Sequence, residues 1–304
     1  MTLILKGISN IRNQIKTTIF LLLLLMSNFA FAKIHEFETT HLKSQAGTGV
    51  SGLFMEESSF LNPAGIAFFR SANVYAQRDM LQIKDSTGNI VQKPRNTAIV
   101  ISDGNDSLSG SLSYVHQEEG VMTRKRWGLA TSASLSEKSA LGVSLRKTKD
   151  EDTSAGTSID YYQTVFGVTH AIDQQTTLGL VAYDAFNSPG DATKALLGIQ
   201  HVFADYITIA FDFGGNYKAE EINSTLLYRG GIQVKVLNDF LLRFGAFNEK
   251  ELEEKGNAFG LAWISPKLAF EFAVKNTTLK ESPAKLRLSE SKIRDISFGV
   301  SLRF

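Results

Sequence analysis

Segments of about ten residues, in which apolar side chains alternate with polar or small ones, recur from Ser71 to the last residue of the chain. Turn-forming residues separate the segments, and such alternation is typical of β-strands with one face in an apolar environment. We count fourteen segments, at residues 71–81, 95–102, 106–117, 123–136, 139–149, 158–172, 176–187, 192–203, 206–218, 223–237, 240–251, 255–265, 268–280 and 293–304. The first and sixth segments alternate least clearly. The pattern predicts an all-β protein.

The connections between these segments alternate in length. Short connections lie at residues 102–105, 136–139, 173–175, 204–205, 237–239 and 265–267. Longer polar connections lie at residues 147–157, 184–193, 216–225, 248–257 and 276–294. Short turns at one rim and long loops at the other are typical of outer-membrane barrels, whereas a soluble β-sandwich has no reason to sort its connections in this way. We therefore predict a transmembrane antiparallel β-barrel of about 14 strands over residues 71–304, with both of its ends in the periplasm.

Charged residues fall between apolar residues within several predicted strands. Asp212 lies between two phenylalanines, and Lys235, Arg243 and Glu271 have similar apolar neighbours. A register slip of one residue would turn these charges toward lipid, at a cost of about 2 to 4 kcal/mol for each Lys or Arg near the midplane. The four charged residues are therefore predicted to face the lumen.

The first 32 residues have the features of a secretory signal peptide. Lys6, Arg12 and Lys16 precede a short apolar run at residues 19–26, and small residues flank Phe31. This order predicts cleavage after Ala32. An uncleaved anchor is the alternative, but the run is too short to cross about 30 Å of hydrocarbon.

Composition excludes several other classes of protein. The formal net charge is +1 and the chain has no cysteine, so a basic nucleic-acid binder and a disulfide-rich protein are excluded. The five histidines have no metal-ligand spacing, and no nucleophile-elbow motif is present. We therefore expect no catalytic residues, no metal and no cofactor, and we keep an outer-membrane hydrolase only as a minor alternative.

The last predicted strand ends at the final residue of the chain with four alternating apolar side chains: Phe298, Val300, Leu302 and Phe304. Such a strand can be recognised by addition to the edge of another sheet. Its C-terminal Phe resembles the assembly signal of bacterial outer-membrane proteins. The barrel-assembly machinery is therefore an expected partner.

Residues 33–70 do not resemble wall strands. The run Gly47 to Gly52 matches a dinucleotide fingerprint, but the polar residues before it and the lack of a suitable acid after it argue against nucleotide binding. Farther on is the motif Asn62-Pro63-Ala64-Gly65, with four phenylalanines in and around it: Phe54, Phe60, Phe68 and Phe69. A barrel of about 14 strands is too wide for wall side chains alone to fill, so it must be watery or plugged. Residues 33–70 are the predicted plug.

The glycine-rich run and the motif FLNPAGIAFF together resemble the N-terminal hatch of FadL-type outer-membrane transporters, which carry long-chain fatty acids and other hydrophobic compounds. The predicted strand number and the terminal Phe agree with this resemblance. It implies a hatch that moves to let hydrophobic ligands pass, with a lateral opening at a kink in an early strand, for which Gly110 is our candidate. The four phenylalanines are predicted ligand contacts, or alternatively anchors of the plug.

These patterns predict a passive, hatch-gated channel for hydrophobic small molecules such as long-chain fatty acids, in the bacterial outer membrane. A non-transporting scaffold or secretion-accessory barrel is the alternative. Expected partners are outer-membrane lipid, lipopolysaccharide and the hydrophobic ligand, but no nucleic acid, and we expect a monomer. A loop that contains Lys280, Lys285, Arg287, Lys292 and Arg294 is a candidate contact for lipopolysaccharide phosphates, although its interspersed acids favour an ordinary solvated loop.

Overall fold

The computed structural model describes residues 34–104, 109–186, 193–281 and 290–304, so the predicted signal peptide and its cleavage site lie outside the described residues. One short helix, α1 (Thr40–Ser44), and 3-10 helices at Pro63–Phe68 and Ile222–Ser224 accompany the strands. The strands are β1 (Ala72–Lys84), β2 (Ile90–Gln92), β3 (Arg95–Asp103), β4 (Ser109–Glu119), β5 (Met122–Ser136), β6 (Ser139–Asp152), β7 (Thr157–Ala171), β8 (Thr176–Tyr183), β9 (Lys194–Phe203), β10 (Ile207–Gly215), β11 (Leu227–Leu237), β12 (Phe240–Glu249), β13 (Glu254–Ile264), β14 (Leu268–Leu279) and β15 (Ser291–Arg303).

The strands form one closed antiparallel barrel. Each strand from β3 to β15 pairs with its neighbour in sequence, β1 pairs with β3, and β15 pairs with β1 to close the ring. The predicted fold class is confirmed, with 14 strands in the wall. The three-residue strand β2 was not predicted. It pairs only with the end of β1, as part of the β1–β3 connection.

The two rims of the barrel differ in their connections. The terminal rim, where β1 begins and β15 ends, has short turns at residues 137–138, 172–175, 204–206, 238–239 and 265–267. The opposite rim, called here the loop rim, has longer connections at residues 85–94 and 216–226. Two predicted loops were wrong, because most of residues 147–157 and 248–257 belong to the hairpins β6–β7 and β12–β13. Their charged residues remain in the ladders because polar side chains do not prevent backbone pairing outside hydrocarbon.

The two faces of the wall differ as the alternation predicts. On β10, Ile209 and Phe211 are 43% and 46% exposed on the outer face, whereas Asp212 between the phenylalanines is fully buried inside. On the less regular strand β7, Tyr162 and Phe166 are likewise exposed on the outer face. The barrel therefore has an apolar outside and a polar inside. Within residues 34–104, 109–186, 193–281 and 290–304, no helix is long and apolar enough to cross a membrane.

The C-terminal strand is paired on both sides in the closed barrel. β15 forms ladders with β14 and β1, and Phe298, Leu302 and Phe304 are exposed on the outer face, with Val300 between them. Its edge is therefore available to another sheet only before the ring closes. Recognition of this strand by the assembly machinery stays a prediction.

The buried core lies inside the barrel, between the wall and residues 34–71, which we call the N-terminal segment. Leu42, Val50 and Leu61 of this segment pack against Val165 and Val181 of the wall. Phe37 and Phe60 form a second cluster with wall residues that include Tyr75 and Val115. The lumen is thus occupied by the chain's own N-terminal residues.

The register predicts how the cost of a charge on the outer face depends on depth. Phe211→Arg places a charge in the middle of β10 and should lower the free energy of unfolding by about 2 to 4 kcal/mol. The control Phe240→Arg, at the first residue of β12 beside the turn, should lower it by about 1 kcal/mol or less. Urea unfolding in lipid vesicles, followed by tryptophan fluorescence, measures both changes. Equal losses for the two variants would contradict the assigned lipid-facing band.

Candidate functional site

The candidate site is the interface between the N-terminal segment and the inner face of the wall. Residues 35–38 lie near the loop rim, where they contact Glu119, Arg126 and Glu254 at the ends of their strands. The segment then descends, and Ala67 and Phe69 approach Ser134 and Gly104 near the terminal rim. It therefore follows the lumen along most of its length before it enters β1.

Glu36 lies among three arginines of β5 and β6, which we call the arginine cluster: Arg124, Arg126 and Arg146. The Glu36 carboxylate is 2.5 Å from Nη1 of Arg126, 3.1 Å from Nη1 of Arg146 and 4.0 Å from Nη1 of Arg124. The arginine side chains are 1% to 2% exposed, whereas that of Glu36 is 43% exposed. Burial tends to raise the pKa of Glu36, but the three cations lower it to about 2. This carboxylate therefore stays ionised at any physiological pH.

The arginine cluster has other partners as well. Arg146 donates hydrogen bonds to the backbone oxygens of Ser59 and Phe60, which belong to the N-terminal segment. Arg124 donates to the Asp150 carboxylate of β6, at 2.7 Å and 2.8 Å. The cluster is thus held by the wall on one side and by the segment on the other, and Glu36 is its most solvent-accessible anion.

His35 joins two separate parts of the wall. Its Nδ1 lies 2.8 Å from Glu119 on β4, and its Nε2 lies 3.0 Å from Glu254 on β13. Burial lowers the pKa of His35, but the attraction of the two carboxylates and their hydrogen bonds outweigh it and raise the pKa well above its usual value. A charged imidazole can donate to both carboxylates at once. Nearby, Glu38 pairs with Lys275 of β14 at 2.6 Å.

Deeper in the lumen, Lys43 of α1 lies between two carboxylates of the wall. Its Nζ is 2.6 Å from Asp79 of β1 and 2.5 Å from Asp295 of β15. Burial opposes its charge, but the two carboxylates raise the pKa of Lys43 above its usual value. The ion pairs therefore anchor the helix where the barrel closes.

Asp212, predicted to face the lumen, accepts hydrogen bonds from the backbone. The amides of Gly49 and Val50 donate to its carboxylate at 2.8 Å and 3.2 Å. Gly47 and Gly49 have positive φ angles of 86° and 157°, which bend the chain so that these amides turn toward the wall. The glycine-rich run therefore binds a carboxylate of the chain itself.

The other predicted lumen charges have different surroundings. Arg243 donates hydrogen bonds to Glu271 at 2.6 Å and to Gln233 at 2.8 Å, so these strands are joined across the inner face. Lys235 is two residues from Gln233 on β11 and shares its face by alternation, near the terminal rim. The structure therefore brings Arg243 and Glu271 together but does not bring either to Asp212.

The motif Asn62-Pro63-Ala64-Gly65 forms the start of the 3-10 helix Pro63–Phe68. The Asn62 side chain accepts a hydrogen bond from the amide of Ala64 at 3.1 Å and so caps this helix. Its Nδ2 donates to the oxygens of Val50 and Val168 and to the hydroxyl of Thr169. One amide side chain thus joins two parts of the segment to β7.

Lumen-facing glycines allow the segment to approach the wall closely. We call this set the glycine belt, and it consists of three cross-strand pairs: Gly142 with Gly167, Gly179 with Gly198, and Gly231 with Gly245. A Cβ atom at Gly142 would lie 2.4 Å from the Ala64 nitrogen, and one at Gly179 would lie 2.2 Å from the Val50 oxygen. Sequence analysis missed this belt, whose signal was glycine at inward positions of neighbouring strands.

The structure does not bring the four predicted phenylalanines together. Phe60 is buried against Phe37, with ring centroids 5.0 Å apart. Phe54 lies 4.0 Å from the ring of His41, and Phe68 packs beside Ala64, Ala67 and Ala140. The backbone of Phe69 lies against Gly104. Packing of the segment thus accounts for the position of Phe60, and the role of all four as ligand contacts stays a prediction.

No register shift marks Gly110, the candidate for the predicted kink, in the described parts of its two ladders. Gly110 pairs with Asp103 at the end of the β3–β4 ladder, and the β4–β5 ladder continues through its pair with Thr131 without a shift. A glycine can remain in a regular strand when both neighbours supply hydrogen bonds. Residues 97–103 of β3 are paired with β4, and residues 109–119 of β4 are paired with β5, without a break in either ladder. Over all of the residues that the structure describes, no group of three or more His, Asp or Glu side chains is placed to hold a metal ion.

The glycine belt predicts that added side-chain volume displaces the segment. Gly142→Val should raise single-channel conductance in planar bilayers severalfold and expose the segment to protease, because its Cβ would overlap Pro63 and Ala64. The control Gly230→Val is on the outer face, where the nearest atom to a new Cβ is 4.0 Å away. This control should match the unmodified protein. Unchanged conductance and protease resistance in Gly142→Val would show that the belt does not hold the segment.

Comparison with known proteins gives structural matches only. No protein-family model matches the chain, and no curated protein matches its sequence. Among solved structures, the monoaromatic hydrocarbon channel CymD is 13% identical, covers 88% of this chain and 97% of its own, and has a TM-score of 0.70. The toluene transporter TodX of Pseudomonas putida is 11% identical, with coverage of 90% and 99% and a TM-score of 0.66.

A FadL homologue of Pseudomonas aeruginosa is 14% identical, covers 87% of this chain and 98% of its own, and has a TM-score of 0.56. At such low identities the agreement concerns the fold alone. The chain therefore has the fold of the FadL-type outer-membrane transporters of hydrophobic compounds.

Proposed function

We propose that the protein is a channel of the bacterial outer membrane that passes small hydrophobic molecules by passive diffusion, with the N-terminal segment as its hatch. The observation that carries this proposal is a closed barrel with an apolar outer face, whose lumen contains a segment held near the loop rim by polar and ionic contacts in addition to apolar packing deeper inside. Polar contacts of this kind can be replaced by contacts with water or with a bound ligand. Apolar packing alone offers no polar group for such a replacement. The similar structures are described as channels and transporters, and we infer that this chain is likewise not an enzyme.

The proposed location defines the two rims. We propose that the terminal rim, which has the short turns and both ends of the barrel, lies in the periplasm and that the loop rim faces outward. A ligand entering from outside would first meet His35, Glu36 and Glu38, which are the parts of the segment nearest the loop rim. We propose that release of these residues is the first step of opening.

Long-chain fatty acids are our proposed substrate class, and the arginine cluster supports this choice. Guanidinium groups bind carboxylates well because their geometry allows two parallel hydrogen bonds. Glu36 now supplies a carboxylate to this cluster, and it is the only member of the group that is substantially exposed among those described. A fatty acid carboxylate could take its place, and the loss of Glu36 from the cluster would release the start of the segment.

Deletion of residues 33–70 tests the hatch. Without the segment, a lumen lined by Asp79, Arg126 and Arg243 would fill with water, so bilayer conductance should rise at least about tenfold toward that of an open pore. The matched control is the double variant Lys218→Gln and Lys250→Gln, which removes two exposed charges from the loops without touching the segment. Conductance no larger than that of this control would show that the segment does not block the pore.

Uptake by intact cells tests transport and the role of the arginine cluster. Cells that contain the protein should accumulate labelled oleate faster than cells that lack it. The double variant Arg126→Gln and Arg146→Gln should lower this rate about tenfold, because two charge-assisted hydrogen bonds to the carboxylate are lost. Uptake of labelled toluene, which has no carboxylate, should not fall.

The control for this experiment is Lys218→Gln with Lys250→Gln, which removes two exposed charges from the loops and leaves the arginine cluster and the ion pairs of the segment intact. It should retain oleate uptake. Equal rates of oleate and toluene uptake with and without the protein would refute the channel proposal, and stable co-purification of another envelope protein would then favour a scaffold. An equal fall of both rates in the arginine double variant would refute only the fatty acid assignment.

A further inference from the structure

The outer face of the wall at the closing strands has a group of cations that extends from the middle of β1 to the loop rim. We call it the basic wall patch, and its members lie on β1, β3 and β15: Arg78, Lys84, Arg95, Lys292 and Arg294. Their inward-facing neighbours, such as Asn73, Asp79 and Ser297, are buried in the lumen, so alternation places the patch on the outside. These cations therefore face lipid or the boundary between lipid and water.

The strand register brings the cations together. Lys84 is directly opposite Lys292 across the closing seam, and Gln82 is opposite Arg294. Arg95 is opposite Met80, two residues from Arg78. Like charges at opposite positions destabilise a sheet unless counter-ions separate them. The patch therefore needs anionic partners.

The chain supplies few of these anions. In the loop-rim half of β1, β3 and β15, no outward-facing position is an acid, since those positions on β1 are Arg78, Met80, Gln82 and Lys84. Three acids lie near the patch in the structure or in the chain: Glu290 is 3.6 Å from Lys292, Glu118 is bonded to His116, and Asp85, next to Lys84, is bonded within its own turn. Within the described parts of the chain, neither Arg78 nor Arg95 forms an ion pair.

An apolar surface adjoins the patch on the side toward the terminal rim. Phe298 is directly opposite Arg78, and its ring lies 5.0 Å from that of Phe272. Met80, which the patch surrounds, is 44% exposed. Lipid tails can cover this surface while groups attached to the same lipid reach the cations. The opposite side of the barrel differs, because β8 to β12 have no Lys, Arg, Asp or Glu at outward positions.

We propose that the basic wall patch binds lipopolysaccharide through the phosphate groups of its lipid A. Phosphate is the anion that arginine pairs bind with two parallel hydrogen bonds, and lipid A has both phosphates and acyl chains. The position of the patch on the lipid-facing wall, beside apolar side chains, favours a membrane lipid over a soluble anion. This inference depends on the proposed outer-membrane location and not on transport.

Native mass spectrometry of the full-length protein in detergent tests the proposal, with bisphosphorylated lipid A and dephosphorylated lipid A as probes. The unmodified protein should bind bisphosphorylated lipid A at least about tenfold more tightly than the dephosphorylated lipid. Each pair of charge-assisted hydrogen bonds to a phosphate contributes about tenfold in affinity. The double variant Arg78→Gln and Arg294→Gln should lose about tenfold in affinity. Arg78→Lys with Arg294→Lys should lose less, because the charges remain.

The control is Lys218→Gln with Lys250→Gln, which removes the same charge from loops on the other side of the barrel and should bind as the unmodified protein does. Equal binding of the two lipids by the unmodified protein would overturn the proposal, and this arm needs no variant to fold. Displacement of lipid A by millimolar inorganic phosphate would also overturn it, in favour of a simple phosphate site. Uptake of oleate is measured in parallel, so a failure of transport is distinguished from a failure of lipid binding.

Discussion

The pairing of the first and last wall strands turns the sheet into a closed barrel. β1 and β15 form an unbroken ladder from Asn73 opposite Arg303 to Lys84 opposite Lys292. In hydrocarbon, each backbone group without a hydrogen bond costs several kcal/mol, so an open sheet of this size could not remain in a bilayer. Closure satisfies both edges and separates an inside from an outside. Only then can Asp212 be buried while Phe211, one residue away, faces lipid.

Two kinds of contact between the N-terminal segment and the wall differ in how much movement of the segment they permit. At the glycine belt, the backbone of the segment lies directly on the backbone of the wall. A small shift of the segment therefore disturbs the contacts of many atoms at once. The ion pairs near the loop rim involve longer side chains and a Glu36 carboxylate that already contacts water, whereas the Lys43 side chain is 5% exposed. Breaking a buried pair leaves an uncompensated charge and costs more than breaking a hydrated one. The segment is therefore easiest to release at the loop rim.

The wall was predictable because its signal is local. A strand with one face in lipid and one in a polar lumen alternates with period two, so the fourteen strands and the inward direction of Arg243 follow from the order of residues alone. The two wrong loops, within residues 147–157 and 248–257, show the limit of this signal, because polar strand ends resemble loops. The glycine belt depends on which strands are neighbours and on the path of the segment. Neither is encoded locally, and for the same reason Phe54, Phe60 and Phe68 could not be assigned to separate surroundings.

Closure of the barrel and filling of its lumen are coupled at the seam between β1 and β15. Lys43 lies between Asp79 of β1 and Asp295 of β15, and Thr40 contacts Tyr75 on one strand and Ser297 on the other. Glu56 likewise joins Asn73 to Ser301. Without Lys43, the seam would hold two neighbouring carboxylates with no cation between them, which repel each other in a medium of low dielectric constant. The segment thus stabilises the junction that makes a lumen possible, and a hatch that opens must do so without withdrawing α1, which leaves the part near the loop rim as the moving element.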